Sequence, residues 1–515
     1  MTTSRKGKRG LLRIIFSRTM IITLLLLVNF AVAFSFAFDL IQGLPILFGS
    51  TIAFTALLEL YIINTRDDPT VKLTWCVIIA VLPIFGAALF FLVRFDLGNR
   101  LNRRLAETAI QISLPFIPEQ TVLMEQIRQE DRGLYNLAHY LKTCAHAPIY
   151  ENTSVIYFPL GEDMFREMLL QLEKAEKFIF MEYFLISEGY MWDSILEILN
   201  RKAAAGVEVR VLYDGMNAFY NLPYSYPEKL KKLGIQCRMF APVRPFVSTH
   251  YNNRDHRKIL VIDGRTAFTG GVNLEDHYIN RTSPYGHWKD TAVMLQGDAV
   301  QSFTLLFLQM WNATGASREF RPYLTVPEQS VPAQGYVIPF GDTPTDQENV
   351  GEMVYLDILN RAKDYVWIMS PYFIPDAQLL TAMKFAAGRD VDVRLILPHI
   401  PDKKTVFALA QAHYRELTEA GVKIYEYTPG FVHAKVFLSD DIHAVVGTIN
   451  LDYRSLYHHF ECAAYLYDVP ALRDIREDFL HSFDISQRIT MEDVRAQSLL
   501  TRLLGAVLKI MAPMM

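Results

Sequence analysis

Two stretches of the chain carry the same reactive residues at the same spacing: His256-x-Lys258-x4-Asp263-x6-Gly270-Gly271-x-Asn273 and His433-x-Lys435-x4-Asp440-x6-Gly447-Thr448-x-Asn450. On an extended strand a His and a Lys two residues apart face the same way, so one imidazole and one ammonium converge on a single group. Asn273 and Asn450 follow small residues that let the backbone come close, and each offers an amide donor. Two His, two Lys and two Asn around one pocket make an anion site matched to the oxygens of a phosphodiester, with no metal needed. A neutral imidazole can attack phosphorus while a protonated one donates to the leaving oxygen, giving a covalent phosphohistidine that an acceptor alcohol then resolves.

Each imidazole in such a role needs a carboxylate behind it to fix tautomer and orientation. Aligning Trp288-Lys-Asp-Thr-Ala292 with Phe460-Glu-Cys-Ala463 nominates Asp290 for the first half and Glu461 for the second. Asp263 and Asp440 lie seven residues past their histidines, near or beyond a strand end, where a carboxylate more often holds a turn than touches substrate. Asp452, Arg454 and Ser455 follow the second motif and suit a loop beside the pocket.

Stepping outward from the motifs, the same order of segments runs twice. Lys177–Phe184 matches Val366–Phe373, Gly206–Leu212 matches Asp390–Ile396, Leu233–Cys237 matches Ala420–Ile424, and the two motifs follow. The class is α/β. Each half reads as helix-separated strands of a mostly parallel sheet, pairing with its twin about a pseudo-twofold axis with the site between them. The expected organisation is a membrane anchor over 1–104, a connecting segment over 105–149, halves over 150–330 and 331–490, and an amphipathic helix over 491–515.

The anchor follows from hydropathy. Of 515 residues 51% are hydrophobic, and the excess gathers in three stretches, 20–38, 43–63 and 73–93, each near the length of about 20 residues that crosses a bilayer. The third is uncharged, with Pro83 and Gly86 as kink residues. Arg5, Lys6, Lys8, Arg9, Arg13 and Arg18 precede the first stretch, and Arg94, Arg100, Arg103 and Arg104 follow the last. Both flanks favour the cytosol, so either one segment is re-entrant or interfacial or one flank yields. Leu499, Leu500, Leu503, Leu504, Val507, Leu508 and Met511 recur at helical spacing, a face for the membrane surface or for the protein's own core. A net charge of −4 gives no global field for nucleic acid, and four scattered cysteines form neither a metal spacing nor a disulfide framework.

The two motifs resemble the HKD motifs of the phospholipase D superfamily. Asn252–Gly264, Gly286–Leu295, Gly341–Asp346 and Gly447–Tyr457, with the N-terminal spans, resemble the bacterial cardiolipin synthases of that type. The resemblance implies two phospholipase D-like halves and a metal-independent phosphatidyltransferase without cofactor. His256, Lys258, Asp263, His433, Lys435 and Asp440 would form its catalytic set, supported by Asn273, Asn450, Asp290 and Glu461. The implied substrates are phosphatidylglycerol and membrane lipids rather than nucleic acid, and the implied location is the cell membrane, multi-pass, with a cytoplasmic catalytic region. Hydrolytic phospholipase D, another phosphatidyltransferase, a nuclease and a non-catalytic lipid-binding protein are the alternatives. Arg244, His250, Arg254 and Arg257 either attract an anionic headgroup or form a solvated loop. Phe219, Tyr220, Tyr224 and Tyr226 either border an acyl-chain entrance or pack internally.

Overall fold

The computed structural model describes Leu27 and residues 44–95, 100–242, 253–315, 318–324, 331–346 and 348–514. The chain divides into two compact units.

In the N-terminal unit a helix over Leu44–Ile63 coincides with the second apolar stretch. The third stretch is two helices, Pro69–Val81 and Pro83–Phe95, each of 13 residues. Pro83 cannot continue the preceding helix, and the pair folds back on itself, with Trp75 edge-on to Phe90 at 5.3 Å. A Cβ on Gly86 would lie 2.9 Å from the Ile78 carbonyl oxygen, so the close approach needs glycine. A helix of 13 residues reaches only about 20 Å, short of the roughly 30 Å hydrocarbon core. The reading of 73–93 as one continuous span is therefore corrected, and the first stretch lies outside the described residues apart from Leu27. Among the described residues no helix is long and apolar enough to cross a membrane. Leu58, Ile62, Trp75, Ile79 and Phe90 form a small core, while Ile52, Phe54, Leu57 and Leu60 stay exposed.

The larger unit is a duplicated α/β fold. Its first half contains β1 (Thr153–Phe158), β2 (Phe178–Tyr183), β3 (Glu208–Asp214), β4 (Gln236–Phe240), β5 (Lys258–Ile262), β6 (Thr266–Gly270), β7 (His287–Lys289) and β8 (Ala292–Gly297). The second contains β9 (Tyr336–Asp342), β10 (Tyr365–Met369), β11 (Phe373–Ile374), β12 (Asp392–Pro398), β13 (Lys423–Tyr427), β14 (Gly430–Val432), β15 (Val436–Ser439), β16 (His443–Gly447), β17 (Leu451–Asp452), β18 (Glu461–Tyr467) and β19 (Ser486–Ile489). The sheet orders, β1-β8-β6-β5-β2-β3-β4 and β9-β18-β16-β15-β10-β12-β13, are the same, and β19 extends the second.

The sheets are mixed rather than mostly parallel. Only β2, β3 and β4, and their counterparts β10, β12 and β13, run parallel through helical crossovers; the remaining neighbours are antiparallel. The reversal is built at the motif aspartates. Asp263 and Gly264 have φ of 54° and 67°, and Asp440 and Asp441 have 54° and 55°, left-handed pairs that turn β5 into β6 and β15 into β16. The repeat is also shifted at its first match. Phe178 pairs with Glu208 and Tyr365 with Asp392, so Phe178 corresponds to Tyr365, two residues from the alignment by sequence. A shift of two preserves which side chains face the core, so the pattern survives it.

A central core takes Ile259, Val261, Val293 and Leu295 from the first sheet and Val436, Leu438, Val446 and Ala464 from the second. The helix Val300–Ala313 is buried nearly all round because it lies inside this core, Ser302, Thr304, Gln309 and Asn312 being enclosed with its apolar side chains. Outer helices cover the far face of each sheet, and the helices Thr121–Glu130 and Arg132–Cys144 of the connecting segment pack on the second half's outer core. At the C-terminus, Met491–Ala496 is followed by a break and the helix Leu499–Met511.

Candidate active site

The two motifs meet through short backbone pairings that cross from half to half. His256 N–H donates to the Phe460 carbonyl at 2.9 Å, and Phe460 N–H to Arg254 at 2.8 Å. Symmetrically, His433 N–H donates to the Lys289 carbonyl at 2.6 Å, where β7 and β14 pair in parallel. The residues after Phe460 and Lys289 are Glu461 and Asp290, so each motif is laid against the carboxylate of the other half.

This reverses the expected partnership. His256 Nδ1 lies 2.9 Å from Glu461, and His433 Nδ1 lies 2.6 Å from Asp290 Oδ2. Both carboxylates are fully buried, and both imidazoles are nearly so. An Nδ1 committed to a carboxylate turns Nε2 toward the remaining open side of the ring. Lys258 Nζ donates to the His256 carbonyl at 2.7 Å; Lys435 Nζ bonds the His433 carbonyl and lies 2.8 Å from His433 Nδ1.

The setting keeps the imidazoles neutral. Burial pushes His256 down to about 3 although Glu461 pulls the other way. Burial and the Lys435 and Lys258 ammoniums push His433 well below the ordinary range. Burial also lowers Lys258 to about 8 and Lys435 to about 7. Burial raises Asp290 to about 6. Burial opposes it, but Glu461 is held below the usual carboxylate range by its interactions with His256 and His459. Glu461 is also the better supported carboxylate: Ser455 Oγ donates to it at 2.6 Å, and the Thr448 hydroxyl bonds it as well. On the Asp290 side the position of Thr448 is held by Gly271, where a Cβ would lie 2.0 Å from Asp290 Oδ1.

The other expected site residues are placed as follows. Asp263 accepts from the backbone N–H groups of Glu176, Lys177 and Phe178 at 2.8, 2.7 and 2.8 Å, and Asp440 from those of Lys363, Asp364 and Tyr365 at 2.9, 3.0 and 2.9 Å. Both sit at the hairpin end of their strands, where each carboxylate takes three backbone donors from the start of the neighbouring strand. Asn273 accepts from Leu185 N–H at 3.1 Å and donates one of its two amide hydrogens to the Tyr278 hydroxyl at 2.8 Å. Asn450 Oδ1 is buried without a hydrogen-bond partner among the described residues.

Arg254 and Arg257 are not solvated: Arg254 pairs with Asp214 at 3.2 Å, and Arg257 donates to the Glu461 carbonyl at 3.1 Å. Tyr226 is buried and accepts from Trp192 at 2.5 Å, while Tyr220 and Tyr224 are exposed. Arg244 and His250, and the side chain of Phe219, lie outside the described residues. Ser455 joins the site through Glu461, and Asp452 caps the helix that carries it.

Three residues at the site had not been singled out for it. The ring of Tyr278 stands 5.4 Å from that of His433, Trp288 lies 5.2 Å from His433, and His459 lies 5.4 Å from His256. Trp288 and His459 each precede their carboxylate by two residues, a strand period that would have placed them on its face. His256, His459 and Glu461 bring ligand atoms within 4.8 Å of one another, the spacing at which a cation can be held.

The family described as "Cardiolipin synthase, PLD-like domain" matches residues 168–311 and 355–483, and "Phospholipase_D-nuclease N-terminal" matches 52–94. The chain is 34% identical over 455 residues to a cardiolipin synthase of Alkalihalophilus pseudofirmus, covering 87% of this chain and 89% of that one. The chain belongs to the phospholipase D-like cardiolipin synthase family. The two spans matched to that family's domain hold His256 with Asp290 and His433 with Glu461. An uncharacterised protein of Streptococcus mutans is 51% identical over 456 residues, 88% of this chain and 99% of that one. The crystal structure of phosphatidylserine synthase from Haemophilus influenzae shares the fold, with a TM-score of 0.55 at 15% identity over 75% of this chain and 98% of its own.

Proposed function

We propose that the chain transfers a phosphatidyl group from one phosphatidylglycerol to another, releasing cardiolipin and glycerol. The observation that carries this is the pair of imidazoles, each braced at Nδ1 by a buried carboxylate from the opposite half. Nε2 of one histidine attacks phosphorus while the other histidine, protonated, donates to the glycerol oxygen as the P–O bond breaks. A phosphohistidine remains. The second histidine then takes the proton from a hydroxyl of the incoming phosphatidylglycerol, whose oxygen bonds to phosphorus as the P–N bond breaks. One diester replaces another, so no nucleotide is consumed. Acid–base assistance of this kind contributes about 10²–10⁴-fold per step. The anionic diester compensates the buried ammoniums of Lys258 and Lys435 and raises the proton affinity of the histidine that acts as acid.

Purified enzyme in detergent, given phosphatidylglycerol alone, should form cardiolipin and glycerol in equal amounts by lipid chromatography. Phosphatidic acid as the sole product would make the enzyme a hydrolase.

The proposal extends to the membrane. The exposed apolar side chains of the helix Leu44–Ile63, with the apolar stretch 20–38, support an N-terminal anchor that holds the catalytic unit on the cytoplasmic side. Cysteines introduced as Arg18→Cys and Arg104→Cys report the two flanks: an impermeant thiol reagent applied outside intact cells should label neither, and labelling at position 104 sinks the cytoplasmic assignment. Leu499, Leu500, Leu503 and Val507 are each more than half exposed on the C-terminal helix, which supports a second contact with lipid.

A further inference from the structure

The pseudo-twofold axis relates two walls of different chemistry. Counting back from the carboxylates, Trp288 in the first half corresponds to His459 in the second, because Ala292 and Ala463 occupy the same register opposite Gly270 and Gly447. Trp288 packs with Phe431 at 4.7 Å and Tyr278 at 4.8 Å, so His433 faces an aromatic box. Beside His256 the same place holds an imidazole. His459 is nine-tenths buried, and neither of its ring nitrogens has a hydrogen-bond partner among the described residues; its Nδ1 stands 3.6 Å from Glu461 Oε1, an ion-pair distance when the ring is protonated but too long for a hydrogen bond. A buried polar group with both nitrogens unmet is costly, and it marks a place where something outside the protein completes the bonding.

A diester held between His256 and His433 would extend one arm toward each wall. What differs are the two arms of the diester: one carries acyl chains, the other a glycerol with free hydroxyls. An imidazole offers one donor and one acceptor, the pair that a hydroxyl satisfies. We propose that His459 is a headgroup-specificity residue, hydrogen-bonding a free hydroxyl of the glycerol headgroup beside His256. This rests on the phosphatidyl-transfer reading. The exchanging alcohol is thereby selected for a second hydroxyl, which water and monohydric alcohols lack, and a site built to bond a hydroxyl rejects an analogue without one far more strongly than an apolar pocket does.

The test uses the full chain in detergent with phosphatidylglycerol as donor, and isotopically labelled glycerol or 1-propanol as competing acceptor; transfer to glycerol regenerates phosphatidylglycerol and is read as label entering that lipid. Wild type should favour glycerol. His459→Phe should lower kcat/KM for glycerol by about tenfold or more while changing that for 1-propanol by less than about threefold, and His459→Asn, which keeps a donor and an acceptor, should recover part of the preference. Equal loss with both alcohols in both variants overturns the proposal, since a purely structural role moves both together. Loss of wild-type activity on chelation, restored by a divalent metal, also overturns it, making His459 a ligand with His256 and Glu461. Phosphatidic acid alone from the wild type would instead defeat the transfer reading, a result seen before any variant is made.

Discussion

Raising the pH through about 7 and about 8 strips the protons from Lys435 and then Lys258 in the free enzyme. Both values lie below the ordinary lysine range because burial disfavours the ammonium. Above them the seam loses the cations that hold the diester, so kcat/KM for phosphatidylglycerol should fall across this window. The fall in kcat should come at higher pH, since a bound anion favours the charged lysines. Stability moves the other way. A lysine whose folded value is depressed binds fewer protons folded than unfolded, so its contribution to stability rises with pH between that value and about 10.4. Initial rates over pH 6 to 9 at varied substrate would check the first sign, and Tm over the same range the second. A kcat/KM that climbs through pH 8 would mean that neutral lysines do the binding. At this scale the reactive residue types were legible, because His, Lys and spacing recur twice. The role of Asp263 and Asp440 was only half legible: seven residues beyond the His implies a turn, but the three backbone donors each one collects come from a loop far away in sequence.

Those aspartates act on elements. Each ties the hairpin after a motif strand to the start of the neighbouring antiparallel strand, β2 or β10, and so sets the depth at which the histidine at the other end enters the seam. Asp263 is itself buried although Glu176 and Lys177 among its donors are exposed residues, whereas Asp440 is only partly buried and its bonds to Lys363 and Asp364 lie in the open, with water as an alternative. Asp263→Ala should therefore cost about 2–4 kcal/mol of stability and Asp440→Ala about 1 kcal/mol, read by denaturant or thermal unfolding of the catalytic unit. Activity of whatever remains folded should be retained to within about tenfold; complete inactivation of a folded Asp440→Ala would return that carboxylate to the chemistry. Local pattern also decided much of the N-terminal unit, where Pro83 was visible as an interruption. Whether it kinks one helix or ends it depends on Trp75 meeting Phe90, a contact that hydropathy along the chain does not contain.

For the whole molecule, the exchange of carboxylates between halves is the distinguishing arrangement. Double-mutant cycles on stability test it: His433→Ala with Asp290→Ala, and His256→Ala with Glu461→Ala, should show coupling of about 0.5–3 kcal/mol, while His256→Ala with Asp290→Ala should be additive to within about 0.5 kcal/mol. Strong coupling confined to the same-half pairs would contradict the crossing. The sequence by itself determined that two α/β halves share one site and that two His–Lys pairs with two carboxylates furnish it, since duplication writes both copies in the same order and strand periodicity points their side chains. Only the tertiary structure decided which carboxylate serves which histidine, that the sheets turn back at the motif aspartates, and that His459 stands where the other half has Trp288. Those outcomes depend on how the segments Arg254–His256 and His459–Glu461, two hundred residues apart, lie side by side, and no local spacing records the register between distant strands.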